Sequence, residues 1–132
     1  MGKLLADRLK KRADFLRAQK GIRRSAAGLT LEICPTPEPS GRDGRFRLGF
    51  TASRKVGGAV ERNRAKRRLR AVAAAILPAE ARERTDYVLI ARPATLTRPF
   101  PELMKDLAQT LAAAHLRLAP PDRGPENRDG VG

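Results

Sequence analysis

A chain of 132 residues, 41% of them hydrophobic, is long enough for one domain with a buried core, and a net charge of +14 gives it a field that favours polyanions, nucleic acid before anionic membrane. No apolar run approaches the roughly 18 residues of a membrane span, no continuous apolar segment follows the basic N-terminus, so no signal peptide is expected, and the single cysteine, Cys34, excludes a disulfide within the chain and suits a reducing compartment. The net charge sits in two blocks, +7 over residues 1–24 and +7 over residues 54–70, where a chain made basic only for solubility would spread it.

In chain order, "DRLKKRADFLRAQKG" (Asp7 to Gly21) reads as a short helix closed by glycine. "AGLTLEIC" alternates Leu29, Leu31 and Ile33 against Thr30 and Glu32, the period of a strand with one buried face. "PTPEPSGRDG" is a loop, and "RFRLGFTA" alternates Phe46, Leu48 and Phe50 against Arg47, Gly49 and Thr51, a second strand expected to form a hairpin with the first. Gly57 to Leu77 reads as a helix stopped by Pro78, and "TDYVLIAR" as a central strand buried on both faces. "PFPELMKDLAQTLAAAHLRL" is an amphipathic helix with Leu103, Leu107, Leu111, Ala114 and Leu118 on one face and Pro101 in its first turn. Helix, strand, strand, helix, strand, helix makes a small two-layer α+β sandwich with a mainly antiparallel sheet. It is expected to occupy residues 1–118 as a single domain, followed by a disordered tail over 119–132, which has almost no apolar content.

The second helix carries the chemistry. Ala65, Leu69, Val72 and Ile76 share one stripe, which should face the sheet. Asn63, Lys66, Arg67 and Arg70 fall roughly opposite, with Arg64 and Arg68 on the flank. A solvated helix normally mixes signs, but here Glu61 is the only acid against eight bases between Arg54 and Arg70. Like charges at this density repel unless a polyanion is present. A membrane-surface helix needs a free apolar face with Trp or Phe, and this one has neither. Arginine outnumbers lysine six to two in the stretch, and the guanidinium grips phosphate through two parallel hydrogen bonds where lysine is a point charge. Gly57 and Gly58 just before the helix offer backbone N–H groups as a further anion site. These features point to nucleic acid.

Material for catalysis within the chain is poor. His115, the one histidine, lies beside Ala114 and Leu116 and reads as a partly buried structural residue. Cys34 ends an apolar strand with no histidine partner suggested, and no Asp-x-Asp pair offers a two-metal site. Phe46 and Phe50 read as core.

The stretch "SRKVGGAVERNRAKRRLR", with its Arg-Asn-Arg run at 62–64, resembles the signature of the protein component of bacterial ribonuclease P. "LKKRADF", "FRLGFTASRK" and "DYVLIAR" fall in that family's order and spacing, so the resemblance covers roughly residues 9–115. It implies a left-handed βαβ crossover shared with domains of ribosomal proteins. It also implies a division of labour: an RNA subunit performs hydrolysis with magnesium, and the protein, which binds no cofactor or metal itself and supplies no catalytic residue, assists removal of the 5′ leader of precursor tRNA in the cytoplasm. The partners are then the ribonuclease P RNA and precursor tRNA, with no membrane and no small-molecule substrate. On this reading Arg54, Lys55, Arg62, Asn63, Arg64, Lys66, Arg67, Arg68 and Arg70 contact RNA. A cleft between the sheet and the first helix holds the single-stranded leader, with Phe15, Lys11, Arg12, Arg17, Arg47, Thr51 and Arg92 around it. The chain departs from the family pattern at Gly58, where an asparagine is usual, at Gln19, where many members have a second aromatic, and in the first strand, which lacks one; leader stacking then rests on Phe15 with polar help. A ribosomal or RNA-chaperone module without enzymatic partnership, and a self-sufficient nuclease, are the alternatives.

Overall fold

A computed structural model describes residues 3–118; the expected tail, 119–132, lies outside the described residues. The elements are β1 (Leu5–Arg8), α1 (Arg12–Gln19), β2 (Ile22–Ser25), β3 (Leu29–Pro35), β4 (Arg45–Thr51), α2 (Ala59–Glu80), β5 (Thr85–Ala91), a 3₁₀ turn at Pro93–Leu96, and α3 (Phe100–Arg117). One sheet takes the order β1-β4-β5-β3-β2. The α+β class holds, but the sheet is mixed: β1 and β5 flank β4 in parallel, and β3 pairs antiparallel with β5 and β2.

Three expectations are corrected here. The strands β3 and β4 do not form a hairpin, because β5 lies between them and pairs with both. Its apolar, β-branched run needs cover on both faces, and the middle of the sheet supplies it. The predicted first helix is shorter: Leu5–Arg8 is an edge strand on β4, and only Arg12–Gln19 is helical. Helix α2 runs through Pro78 to Glu80. Proline there removes one ladder bond in the last turn only, and its carbonyl accepts from the Leu4 N–H at 2.8 Å.

β4, α2 and β5 form a βαβ crossover between adjacent parallel strands. Helices α2 and α3 cover one face of the sheet, over a core that includes Leu31, Phe46, Leu69, Tyr87, Leu89, Leu103 and Leu107. The α3 stripe is buried as its spacing requires; on α2, Ala73 and Leu77 are buried while Ile76 is only partly so. Helix α1 packs on the opposite face, against β3, β5 and β2, over a smaller cluster of Leu9, Ala18, Cys34 and Val88. It adds a partial third layer and explains why Thr30 and Glu32 are buried although they alternate with the main core.

Phe15 of α1 lies directly on Gly49 of β4. A Cβ at position 49 would stand 2.6 Å from one ring carbon of Phe15 and 2.7 Å from another, so the ring and any side chain there exclude each other. Gly49→Ala is expected to lower stability by about 1–3 kcal/mol, read from urea unfolding, because the ring must lift off the sheet.

Candidate nucleic-acid interface

The turn before α2 sets the first two cations. Val56 is buried and anchors it, the Val56 and Gly57 N–H groups close it onto the carbonyls of Ser53 and Arg54 at 3.0 and 3.1 Å, and Arg54 and Lys55 are left exposed. Gly57 has φ +144°, and a Cβ there would meet the Glu61 side chain at 2.8 Å. The Glu61 carboxylate turns back and accepts from the Gly58 N–H at 2.9 Å. The expected free anion site at the two glycines is therefore corrected: both N–H groups are taken, one by the turn and one by the helix's own acid. A glutamate three residues after the N-cap is a capping signal that the sequence already carried.

Along α2, burial of Ala65 and Leu69 turns the opposite side outward. Asn63, Arg64, Arg67 and Arg70 are exposed; Arg62, Lys66 and Arg68 are partly so. Arg68 stands apart from the others, since it donates to the Thr95 carbonyl at 2.5 Å and ties α2 to the 3₁₀ turn. Arg70 lies over the Phe50 ring, 5.3 Å from its centre. None of the eight bases from Arg54 to Arg70 forms an ion pair among the described residues. Arg17, Arg23, Arg42, Arg45, Arg47, Arg84, Arg98 and Lys105 all do. The turn and helix therefore carry an unbroken set of unpaired bases where the sequence placed the nucleic-acid helix.

The α1 side is different. Lys11 and Arg12 are exposed at the start of the helix and Phe15 is half-buried over β4. Arg47 and Arg17, expected as cleft cations, are committed within the protein. Arg47 donates to both oxygens of Asp86, at 2.8 and 2.7 Å, and to Asp14 at 3.1 Å. Arg17 donates to the same Asp14 oxygen at 2.7 Å. Burial pushes the Asp14 carboxyl up, but the Arg17 hydrogen bond and the Arg47 charge outweigh it and hold the group below the ordinary range. The hydrogen bonds to Asp86 hold the Arg47 proton more tightly than usual. Thr51 shares the α1 face with Arg47 by strand alternation and is half-buried. Arg92 is exposed at the end of β5, with one guanidinium nitrogen donating to the Ala26 carbonyl at 2.6 Å.

No group of three or more His, Cys, Asp or Glu is placed to hold a metal ion among the described residues. Burial, reinforced by the Asp86 charge, pushes the Cys34 thiol up to about 11, which leaves it protonated and unreactive at neutral pH. His115 is half-buried, and its Nε2 lies 2.7 Å from the Tyr87 hydroxyl, which accepts from the Arg82 N–H. Burial, with Arg82 nearby, lowers His115 to about 4 from 6.5. The neutral ring is the native one, so this group's contribution is complete above pH 6.5 and is lost as pH falls toward 4. Between pH 7 and 4.5 the chain is expected to lose about 1–2 kcal/mol more stability than its His115→Gln variant, the full shift being reduced by solvent at a half-exposed ring. Urea midpoints of the two proteins at both pH values check this.

Sequence comparison places residues 5–115 within the Ribonuclease P family. The ribonuclease P protein component of Paramagnetospirillum magneticum is 49% identical over 106 residues, covering 80% of each chain. That of Caulobacter vibrioides is 44% identical over 118 residues, covering 89% of this chain and 75% of the relative. Among solved structures, the ribonuclease P protein of Staphylococcus aureus, 29% identical, superposes with a TM-score of 0.64 over 81% of this chain and 94% of that one. The ribonuclease P protein of Thermotoga maritima, at 23% identity, shares the fold with a TM-score of 0.65 over 81% and 96%. No helix among the described residues is long and apolar enough to cross a membrane.

Proposed function

This chain belongs to the ribonuclease P protein family, and we propose from that premise that it binds the ribonuclease P RNA through the outer side of α2 and assists removal of the 5′ leader from precursor tRNA. The observation that carries the reading is the exposed, unpaired cationic side of α2 and its preceding turn, in a chain whose other arginines are so often matched by acids. Arg62, Arg64, Lys66, Arg67 and Arg70, with Arg54 and Lys55 before them, supply phosphate contacts. Asn63, exposed between two of them, supplies a more directed hydrogen bond. Arg68 helps through position, since its guanidinium holds the helix against the 3₁₀ turn.

The leader lies beside α1. Phe15 gives a ring for base stacking, and Lys11 and Arg12 give free cations at its side. Arg47 and Arg17 contribute there by fixing α1 on the sheet rather than as free charges. Thr51 and Arg92 offer polar groups at the far end of the same sheet face. Hydrolysis belongs to the RNA subunit with its magnesium, and the assembly works in the cytoplasm. Pure protein incubated with precursor tRNA and magnesium is expected to cleave nothing, and addition of bacterial ribonuclease P RNA is expected to restore cleavage at the mature 5′ end. Cleavage by the protein alone, surviving nuclease-free repurification, would overturn the division of labour.

A further inference from the structure

Between β1 and the outer side of α2 lies an open groove of about 1060 Å³, just above the roughly 300–1,000 Å³ that ligand clefts occupy. Its floor is the α2-facing side of β4: Phe46, Leu48 and Phe50. Its helix wall is made of small residues, with Ala71 and Ala74 exposed. Cations stand on both rims, Arg8 and Lys10 on the strand side and Lys66 and Arg70 on the helix side, and none of the four is ion-paired among the described residues. The one acid on the lining, Asp7, is held by two hydrogen bonds from the Arg45 Nε and one from its terminal nitrogen. Phe46 is buried in the core, but half-buried Phe50 under free cations suits a base with its phosphates: the ring takes the base and the rim takes the charge.

The groove also reaches Phe15 and Gly49 on the other side of β4. It can do so because β1 stops pairing at Arg8, opposite Leu48, and leaves the edge of β4 open beyond. The Leu48 carbonyl accepts from the Leu9 N–H at 3.0 Å on that edge, and by strand alternation Phe50 turns its own N–H and carbonyl the same way, where no strand follows. A single strand leaving Phe15 thus meets backbone groups that no strand among the described residues pairs, then an aromatic ring flanked by a guanidinium.

We infer that this groove carries the single-stranded leader onward from Phe15, around the open edge of β4, with a base against Phe50 and phosphates on Arg8 and Lys10, while Lys66 and Arg70 on the opposite rim keep their contacts with the RNA subunit. The inference rests on the proposed leader binding and extends its path to the α2 side of the sheet. Ala74→Glu fills the groove with a long anionic side chain at an exposed helix position, and Ala75→Glu, exposed on the side of α2 that faces α3, is its control. Each full-length protein is reconstituted with ribonuclease P RNA, and affinity is measured for precursor tRNA with a long leader and with one truncated to end at Phe15. Ala74→Glu is expected to weaken long-leader binding about tenfold and short-leader binding hardly at all, with Ala75→Glu silent. A photoreactive uridine in the far part of a long leader is expected to crosslink unaltered protein within residues 45–51 or 66–74, a readout that does not depend on the variant folding. Equal loss for both leaders, or no loss together with no crosslink, overturns the groove. If Phe15→Ala abolishes the long-leader advantage while Ala74→Glu keeps it, the leader reading stands and the groove inference falls. If unaltered protein shows no leader-length advantage, both fall.

Discussion

Replacing Arg62, Arg64 and Arg67 together by alanine is expected to weaken binding to ribonuclease P RNA by about two orders of magnitude near 0.15 M salt. Each phosphate neutralised releases counterion, so about four to six contacts give a log–log salt slope of roughly −3 to −5. Losing three contacts should flatten that slope by about two to three units, and the lost affinity follows from the same slope extrapolated from about 1 M salt. The fold should be untouched. Arg64 and Arg67 are exposed, and none of the three is ion-paired among the described residues, so removing them relieves repulsion rather than breaking contacts. Filter binding across a salt series, beside thermal unfolding, checks both halves. An unchanged slope would mean that this side of α2 is merely solvated.

Arg47→Met is expected to do the reverse, costing about 3–5 kcal/mol of stability. Asp86 is fully buried and keeps only the Thr36 hydroxyl, at 2.7 Å, once the guanidinium is gone. Asp14 on α1 loses a partner at the same time. A buried carboxylate without its counter-charge is far worse than no carboxylate, so adding Asp86→Leu to Arg47→Met should recover most of the loss. Urea unfolding of the single and double variants measures it. If Arg47→Met instead left stability within about 0.5 kcal/mol and weakened only leader binding, the arginine would be a leader contact and not the pin that holds α1.

Patterns that repeat within one element were legible. The stripe on α3, the inward side of α2 and the doubly covered β5 all follow from spacing, because burial imposes the period directly. The short edge strands were not: "LADR" and "IRRS" are four residues each, with no alternation long enough to read and with arginine facing water. The pairing of β3 with β5 rather than β4 was hidden because two alternating runs joined by a Pro- and Gly-rich loop read as a hairpin, and nothing local says that a later strand will enter between. On α2, the absence of ion pairs follows from the sequence, since Glu61 is the only acid among eight bases and it caps the helix. The pairing of Arg47 with Asp86 was not legible, because the two are 39 residues apart. The distance of Glu61 from Gly58 was enough to mark it as a cap.

The position of β5 has a consequence for how the chain comes into being. The middle strand of the sheet is the last to be made, and β4, α2 and β1 must all precede it. At about 5–20 residues per second, a ribosome needs about 2–8 s to pass from the end of β4 at Thr51 to the end of β5 at Ala91. Throughout that interval Phe46, Leu48 and Phe50 have no neighbouring strand on one side, and α1 has no Asp86 to fasten to through Arg47. Only the β2–β3 pairing is local enough to close early. A nascent chain held up within α2 therefore exposes an apolar strand and a run of arginines side by side, and it does so close to ribosomal RNA, the polyanion nearest to hand.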